Sequence, residues 1–244
     1  IADPPEMALR VRGGAGEAPL ARFYPAAGGA AIDGSLDGWE NCEPVVFAAD
    51  DARRVEVRCL YDRGHLYLRW HARMSDEFTP RPMDPIERIF THDREADVLS
   101  MYLQCDPAAK PNGPAAGRPG DLRMVFSLMR DGDELHPVAL GMYPVWYGKG
   151  EANPQTYGSP TGEAAFDHVG PLPVDEIHGE ADSDGRGYVI AVKIPRLALP
   201  SFTPSFDGEF RTTVNFSATY NGHSKFWWAD ADGSANVITH DEPS

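Results

Sequence analysis

The sequence predicts an all-β fold: an antiparallel β-sandwich with long loops and a few short helices. Three observations predict it. Apolar and polar residues alternate in runs of strand length, as at 54–61 and 65–72. Asp-Gly and Asn-Gly turn signals separate such runs at Asp131-Gly132, Asp184-Gly185 and Asn221-Gly222. No long segment carries the apolar period of an amphipathic helix. Many short strands punctuated by turns pack as a sandwich or an open barrel. The 244 residues show no internal repeat and no compositional break, so residues 31–244 read as one domain behind an N-terminal arm, 1–30.

Each element has its own justification. The arm is rich in Ala, Gly and Pro and has weak periodicity, so it is expected to pack on the domain or on a partner. Turn residues dominate Ile32-Asp33-Gly34-Ser35-Leu36-Asp37-Gly38, and Trp39 is expected to anchor that segment. A hairpin follows. Val55, Val57, Cys59 and Tyr61 share one side of its first arm, Asp62-Arg63-Gly64 turns the chain, and Leu66, Leu68, Trp70 and Ala72 share one side of the second. Residues 76–87 hold three prolines and read as a loop; 86–96 can hold a short helix. A strand through Met101 comes next. The Pro/Gly/Ala-rich 107–120 reads as a surface loop, 123–129 and 135–146 as strands, and 148–162 as a second long loop. A further hairpin turns at Asp184-Gly185-Arg186-Gly187. Its second arm aligns Tyr188, Ile190, Val192 and Ile194 and ends at Pro195, which cannot donate to a ladder. Residues 196–199 fit one helical turn. The last strands are 210–220 and the segment His223-Ser224-Lys225-Phe226-Trp227-Trp228.

Charge and composition narrow the function. Twenty-two basic against 37 acidic side chains leave a net charge of −15. Such a surface repels nucleic acid and anionic membranes. It suits transient docking to a basic partner. No apolar run is long enough to span a bilayer as a helix. The chain starts at Ile1 without a signal peptide or initiator Met, as a processed or trimmed chain would. The three cysteines, Cys42, Cys59 and Cys105, form no C-x-x-C and no C-x-x-C-H. That argues against an iron–sulfur site, a cysteine zinc site and covalent haem attachment. Buried, inert thiols are the simplest reading of all three, and one disulfide among them is chemically open.

Catalytic motifs are missing from the sequence. It contains no G-x-S-x-G, no H-E-x-x-H and no phosphate-cradling Gly loop between strand and helix. His65, His71 and His92 could approach one another, but nothing requires it. The Asp-x-Asp pairs Asp182/Asp184 and Asp230/Asp232 lack the spacing of a calcium loop and read as turn residues.

Two residues carry a sharper hypothesis. In Asp97-Val98-Leu99-Ser100-Met101-Tyr102-Leu103-Gln104-Cys105, the residues Leu99, Met101, Leu103 and Cys105 share an apolar face. A Met there is ordinarily a core filler; it is also a thioether able to bind haem iron. Lys225 lies among Phe226, Trp227 and Trp228. It is ordinarily a snorkelling surface residue. Buried against rings, its pKa falls, and the neutral amine is a metal donor. His223 stands two residues away, on the same face if the strand continues, and imidazole is the commoner haem ligand.

Several segments together resemble the carbohydrate-binding-module-9-like sandwich: 32–39, the hairpin 55–70, the Met101 strand, 188–197 and the closing Phe226-Trp227-Trp228. Within it, the chain is similar to the haem b γ subunits of the ethylbenzene dehydrogenase and dimethyl sulfide dehydrogenase group, a periplasmic branch of the dimethyl sulfoxide reductase family. The resemblance covers about 31–232. It implies one non-covalent haem b with Met101 and Lys225 as axial iron ligands, His223 being the alternative to Lys225. It also implies an electron-transfer subunit rather than a catalytic one. The partners it implies are an iron–sulfur β subunit and a molybdenum α subunit, which keep the iron–sulfur clusters and molybdenum cofactor, and an external carrier such as a soluble cytochrome c. The rival expectation is a carbohydrate-binding module-like sandwich without haem, in which Trp227 and Trp228 stack on a glycan.

Overall fold

The computed structural model describes residues 7–10, 20–26, 28–48, 54–83, 97–104, 119–159, 162–199, 213–220 and 224–228. Fifteen strands lie in these segments, and the one helical element among them is the 3-10 turn Arg196–Ala198. The fold is β-rich, and its mostly antiparallel sheets pack in sandwich fashion.

The first sheet contains β1 (Met7–Arg10), β2 (Leu20–Pro25), β3 (Val45–Ala48), β4 (Arg54–Tyr61), β5 (His65–Arg73), β12 (Glu176–Ala181) and β13 (Gly187–Pro195). Their order is β1-β2-β4-β5-β13-β12, with β3 also paired to β4. The second sheet contains β6 (Val98–Gln104), β7 (Leu122–Asp131), β8 (Glu134–Tyr143), β11 (His168–Pro171), β14 (Thr213–Tyr220) and β15 (Ser224–Trp228). Its order is β11-β8-β7-β6-β14-β15. β9 (Gln155–Ser159) and β10 (Gly162–Phe166) form a separate hairpin.

Alternation along the strands builds the core. Val55, Val57, Cys59 and Tyr61 point inward from β4, and Leu66, Leu68, Trp70 and Ala72 from β5. Tyr188, Ile190, Val192 and Ile194 do so from β13, and Leu99, Met101 and Leu103 from β6. The sheets meet ring to ring where Trp70 lies 6.2 Å from Phe126. At one flank β12 packs over β8, and Gly179 permits the approach: a Cβ there would stand 2.7 Å from Leu128 Cδ1 and 2.9 Å from Pro137.

Three features of the local sequence fix the frame. Asp62 makes the β4–β5 turn, its carboxylate accepting the N–H groups of Gly64 (2.6 Å) and His65 (2.7 Å) and the Tyr67 hydroxyl (2.7 Å). Burial alone would raise its pKa; these donors outweigh burial and leave it below the usual carboxylate value. Trp39 is fully buried and donates its indole N–H to the Ala31 carbonyl at 3.0 Å, so it anchors its segment as expected. Residues 74–83 strap one end of the sandwich. Met74 and Phe78 donate to the Arg186 and Gly185 carbonyls of the β12–β13 turn, and Met83 donates to Arg130 of β7.

Several expectations are met and others are redrawn. The two hairpins, the Met101 strand, the paired strands around Asp131-Gly132 and the helical turn after Pro195 form where expected. The segment 148–162 is not wholly a loop, because β9 and β10 occupy 155–159 and 162–166. The arm 1–30 contributes β1 and β2, and Phe23 is buried in the core. The loop 107–118, the helix within 86–96, Cys105, His92, Asp230, Asp232 and the Asn221-Gly222 turn lie outside the described residues.

Candidate functional site

Strand register decides how the two proposed iron donors relate. Met101 pairs with Phe216 of β14 on one side and Met124 of β7 on the other. Phe216 pairs with Trp228, and Met124 with Gly141 of β8. Cross-strand partners share a face, so one row reads Trp228, Phe216, Met101, Met124, Gly141. Met101 and Met124 are fully buried in the main core, which makes this the inward row.

Lys225 belongs to a different row. It pairs with Thr219, and Thr219 pairs with Val98. Val98 packs in a second cluster, with Val125, Leu140, Met142 and Val169, on the other side of the sheet. The pleat therefore sets Lys225 on the face opposite Met101. Trp227 falls in the row of Ser217, Ser100 and Val125, and Trp228 in the row of Phe216 and Met101. His223 lies outside the described residues.

The described core residues around Met101 are apolar. Across the core, Leu68, Trp70, Ile190 and Val192 come from the facing sheet, and no His or Lys is among the described core residues. Axial ligation of one haem by Met101 and Lys225 needs both side chains to converge on the iron from opposite sides of a porphyrin. Here the two residues hold register positions on opposite faces of the sheet, and Trp70 and Phe126 meet across the sandwich. In this register the residues do not fit the group.

The other candidates resolve into structural networks. Asp182 and Asp184 are engaged by Arg73 (2.7 and 2.7 Å), and Asp182 also by His71 at 3.0 Å. Their carboxylates tie a hairpin turn to β5. His65 bridges Asp62 (3.3 Å) and Asp175 (2.9 Å), away from His71 on the same strand. Among the described residues no group of three or more His, Cys, Asp or Glu is poised to hold a metal. Cys42 and Cys59 are buried free thiols. The Cys42 thiol donates to the Cys59 carbonyl at 3.5 Å, and burial pushes its pKa up to about 11, so neither is a poised nucleophile. Arg69 is buried and donates to the carbonyls of Gly34 (2.7 Å) and Ser35 (2.9 Å), clamping the 33–35 turn onto the first sheet.

One assembly emerges only from the structure. Where β8 ends and β11 begins, Tyr143, Trp146, Tyr147 and His168 gather. Trp146 stacks on His168 at 3.9 Å and 19° and meets the Tyr143 ring edge-on at 5.0 Å. Gly148 lies so close over the indole that a Cβ would collide with its six-membered ring. His168 is fixed in turn: its Nδ1 accepts the Asn153 N–H at 3.0 Å, which puts the neutral ring's proton on Nε2, and burial lowers its pKa. Asn153 also donates to the Val169 carbonyl, and Gln155 donates to Asn153. Asp167 accepts the Trp146 backbone N–H at 3.2 Å. Tyr147 stands outside, 45 % exposed. The density of aromatics at Tyr143, Trp146 and Tyr147, closed by a Gly, was the available sequence signal.

No protein-family model matches the chain, and a search of curated proteins finds no match either.

Proposed function

We propose that the chain is a non-catalytic binding module, a β-sandwich of the carbohydrate-binding kind that works without haem. One observation carries this reading: the register places Lys225 in the row of Thr219 and Val98, not in the row of Met101. Met101 is then a core side chain like Met124 beside it, and the thioethers fill space between the sheets. The strongly acidic surface suits an uncharged ligand or a basic partner rather than an anionic one.

A second reading has a specific observation in its favour. Met101 lies buried on the strand that the resemblance assigns to the haem ligand. On that reading the chain is the haem b electron-transfer subunit of a periplasmic molybdenum oxidoreductase, partnered by iron–sulfur and molybdenum subunits and by a soluble cytochrome c. It requires β15 to slip by one residue against β14, because a one-residue slip exchanges the faces of every side chain on the strand.

Titration of the purified chain with hemin separates the two. The module reading predicts no saturable low-spin spectrum, only weak and nonspecific absorbance. A one-to-one low-spin complex that is lost in both Met101→Ala and Lys225→Ala overturns it in favour of the relay.

A further inference from the structure

We propose that His168 is a pH-sensitive latch: when its ring takes a proton, Asn153 and the connection that carries it between β8 and β9 come away from β11 and open that edge of the second sheet. The latch works in the same way whether or not the chain holds haem.

The edge itself sets the need for a latch. β11 is the outermost strand of its sheet, and Val169 on it is fully buried. Buried backbone groups on a strand edge are costly to leave unpaired. Asn153 serves both groups of Val169. Its carbonyl accepts the Val169 N–H at 2.9 Å, and its side-chain amide donates to the Val169 carbonyl at 2.8 Å. A single asparagine thus stands where another strand would pair. Asn153 is held in turn from two sides. Gln155 donates to its Oδ1 at 3.0 Å, and its own backbone N–H donates to His168 Nδ1 at 3.0 Å. Of these four bonds only the last involves a group that titrates near neutrality.

A neutral imidazole has one donor and one acceptor nitrogen, whereas an imidazolium has two donors. Protonation at Nδ1 sets two N–H groups against each other across the same 3.0 Å, and the bond is lost. The Trp146 face, stacked at 3.9 Å, attracts a cation and opposes release. The lost acceptor, the facing donors and the cost of charging a partly buried ring favour it, and the lowered pKa of His168 has the same sign.

The neighbours leave the switch to His168. Tyr143 of β8 lies 5.8 Å away, its phenol pushed up to about 12 by burial, so it stays neutral. Gly170 of β11 presents only backbone to Nε2. Asp167 is exposed and accepts the Trp146 N–H, and Lys149 and Glu151 on the connection are exposed. Burial, rather than any of these charges, lowers the His168 pKa. The closed form is therefore fully favoured above the ordinary histidine value, about 6.5, and loses ground as pH falls below it.

Amide hydrogen exchange of the purified chain, followed by NMR between about pH 7.5 and about pH 5 and corrected for intrinsic rates, tests the latch across the histidine range. Protection at Asn153 and Val169 should fall with pH, by at most about tenfold per unit for one proton, while Leu68 in the middle of the first sheet keeps its protection. His168→Asn supplies a carbonyl that can accept the Asn153 N–H but does not titrate, so its protection at both sites should not vary with pH. Leu68 reports in the same spectra whether that variant is folded. The inference is overturned if protection at Asn153 and Val169 in the parent chain holds or rises as pH falls, or if Leu68 loses protection in step with them. It is equally overturned if folded His168→Asn keeps the parent's pH dependence.

Discussion

Met101 and Gly148 show at the scale of single residues how placement decides meaning. Met101 is fully enclosed by the main core, so its removal acts through packing. Met101→Ala is expected to cost about 2–5 kcal/mol, the usual range for a buried Met truncated to Ala. A lowered urea midpoint at unchanged slope would register it; a variant as stable as the parent would contradict it. Gly148→Ala drives a methyl into the Trp146 ring. The expected cost is about 1–3 kcal/mol, typical of overpacking, with a change in indole fluorescence. Asp62 sets a pH dependence. Its carboxylate is held below its ordinary pKa in the fold by Tyr67, Gly64 and His65 against the opposing effect of burial. Its stabilising contribution is therefore complete above the unfolded pKa, about 3.9, and fades as pH falls through the lower folded value. Asp62→Asn should flatten the acid limb of the stability curve, and an unchanged acid limb would count against this assignment.

The next scale is that of strands and loops. The β4–β5 hairpin was legible because its alternation and its Asp-x-Gly turn agree. The inward face of β6 was legible for the same reason, as Leu99, Met101 and Leu103 recur at the strand period. What could not be read was parity between strands. Whether Lys225 shares a face with Met101 depends on how many residues the turn between β14 and β15 consumes, and one residue more or less reverses the answer. The β9–β10 hairpin was hidden for another reason. Its strands are five residues each and sit among glycines and prolines, and only Tyr157 and Phe166 mark their apolar contact with the outer cluster. The β8–β11 ring assembly joins residues 25 positions apart: the aromatics at 143–147 cluster in sequence, but nothing local ties them to His168. Its pH behaviour follows from geometry. His168 accepts through Nδ1 and is partly buried, and that burial lowers its pKa. Stability from this contact is full above the unfolded histidine value, about 6.5, and is lost as pH falls from there towards the depressed folded value. An imidazole titration followed by NMR should give a pKa below 6.5; a higher one would refute the stack as described.

At the scale of the molecule, the described residues of the two sheets enclose a largely apolar core, and ion-pair networks gather at turns and strand ends. Asp62, His65 and Asp175, then Arg73, His71 and Asp182, fasten strand ends of the first sheet. The fold class was readable from composition and turn spacing because a sandwich needs only alternation and punctuation. The functional site was not, because two donors at the right places in strand order still have to face the same space. The account stands on that facing, and the pairing of β15 with β14 tests it most directly. Cross-strand nuclear Overhauser contacts in isotope-labelled protein should join Thr219 to Lys225 and Phe216 to Trp228, with or without added hemin. Contacts displaced by one residue, joining Lys225 to Ala218 or Tyr220, would put the lysine on the Met101 face and contradict it.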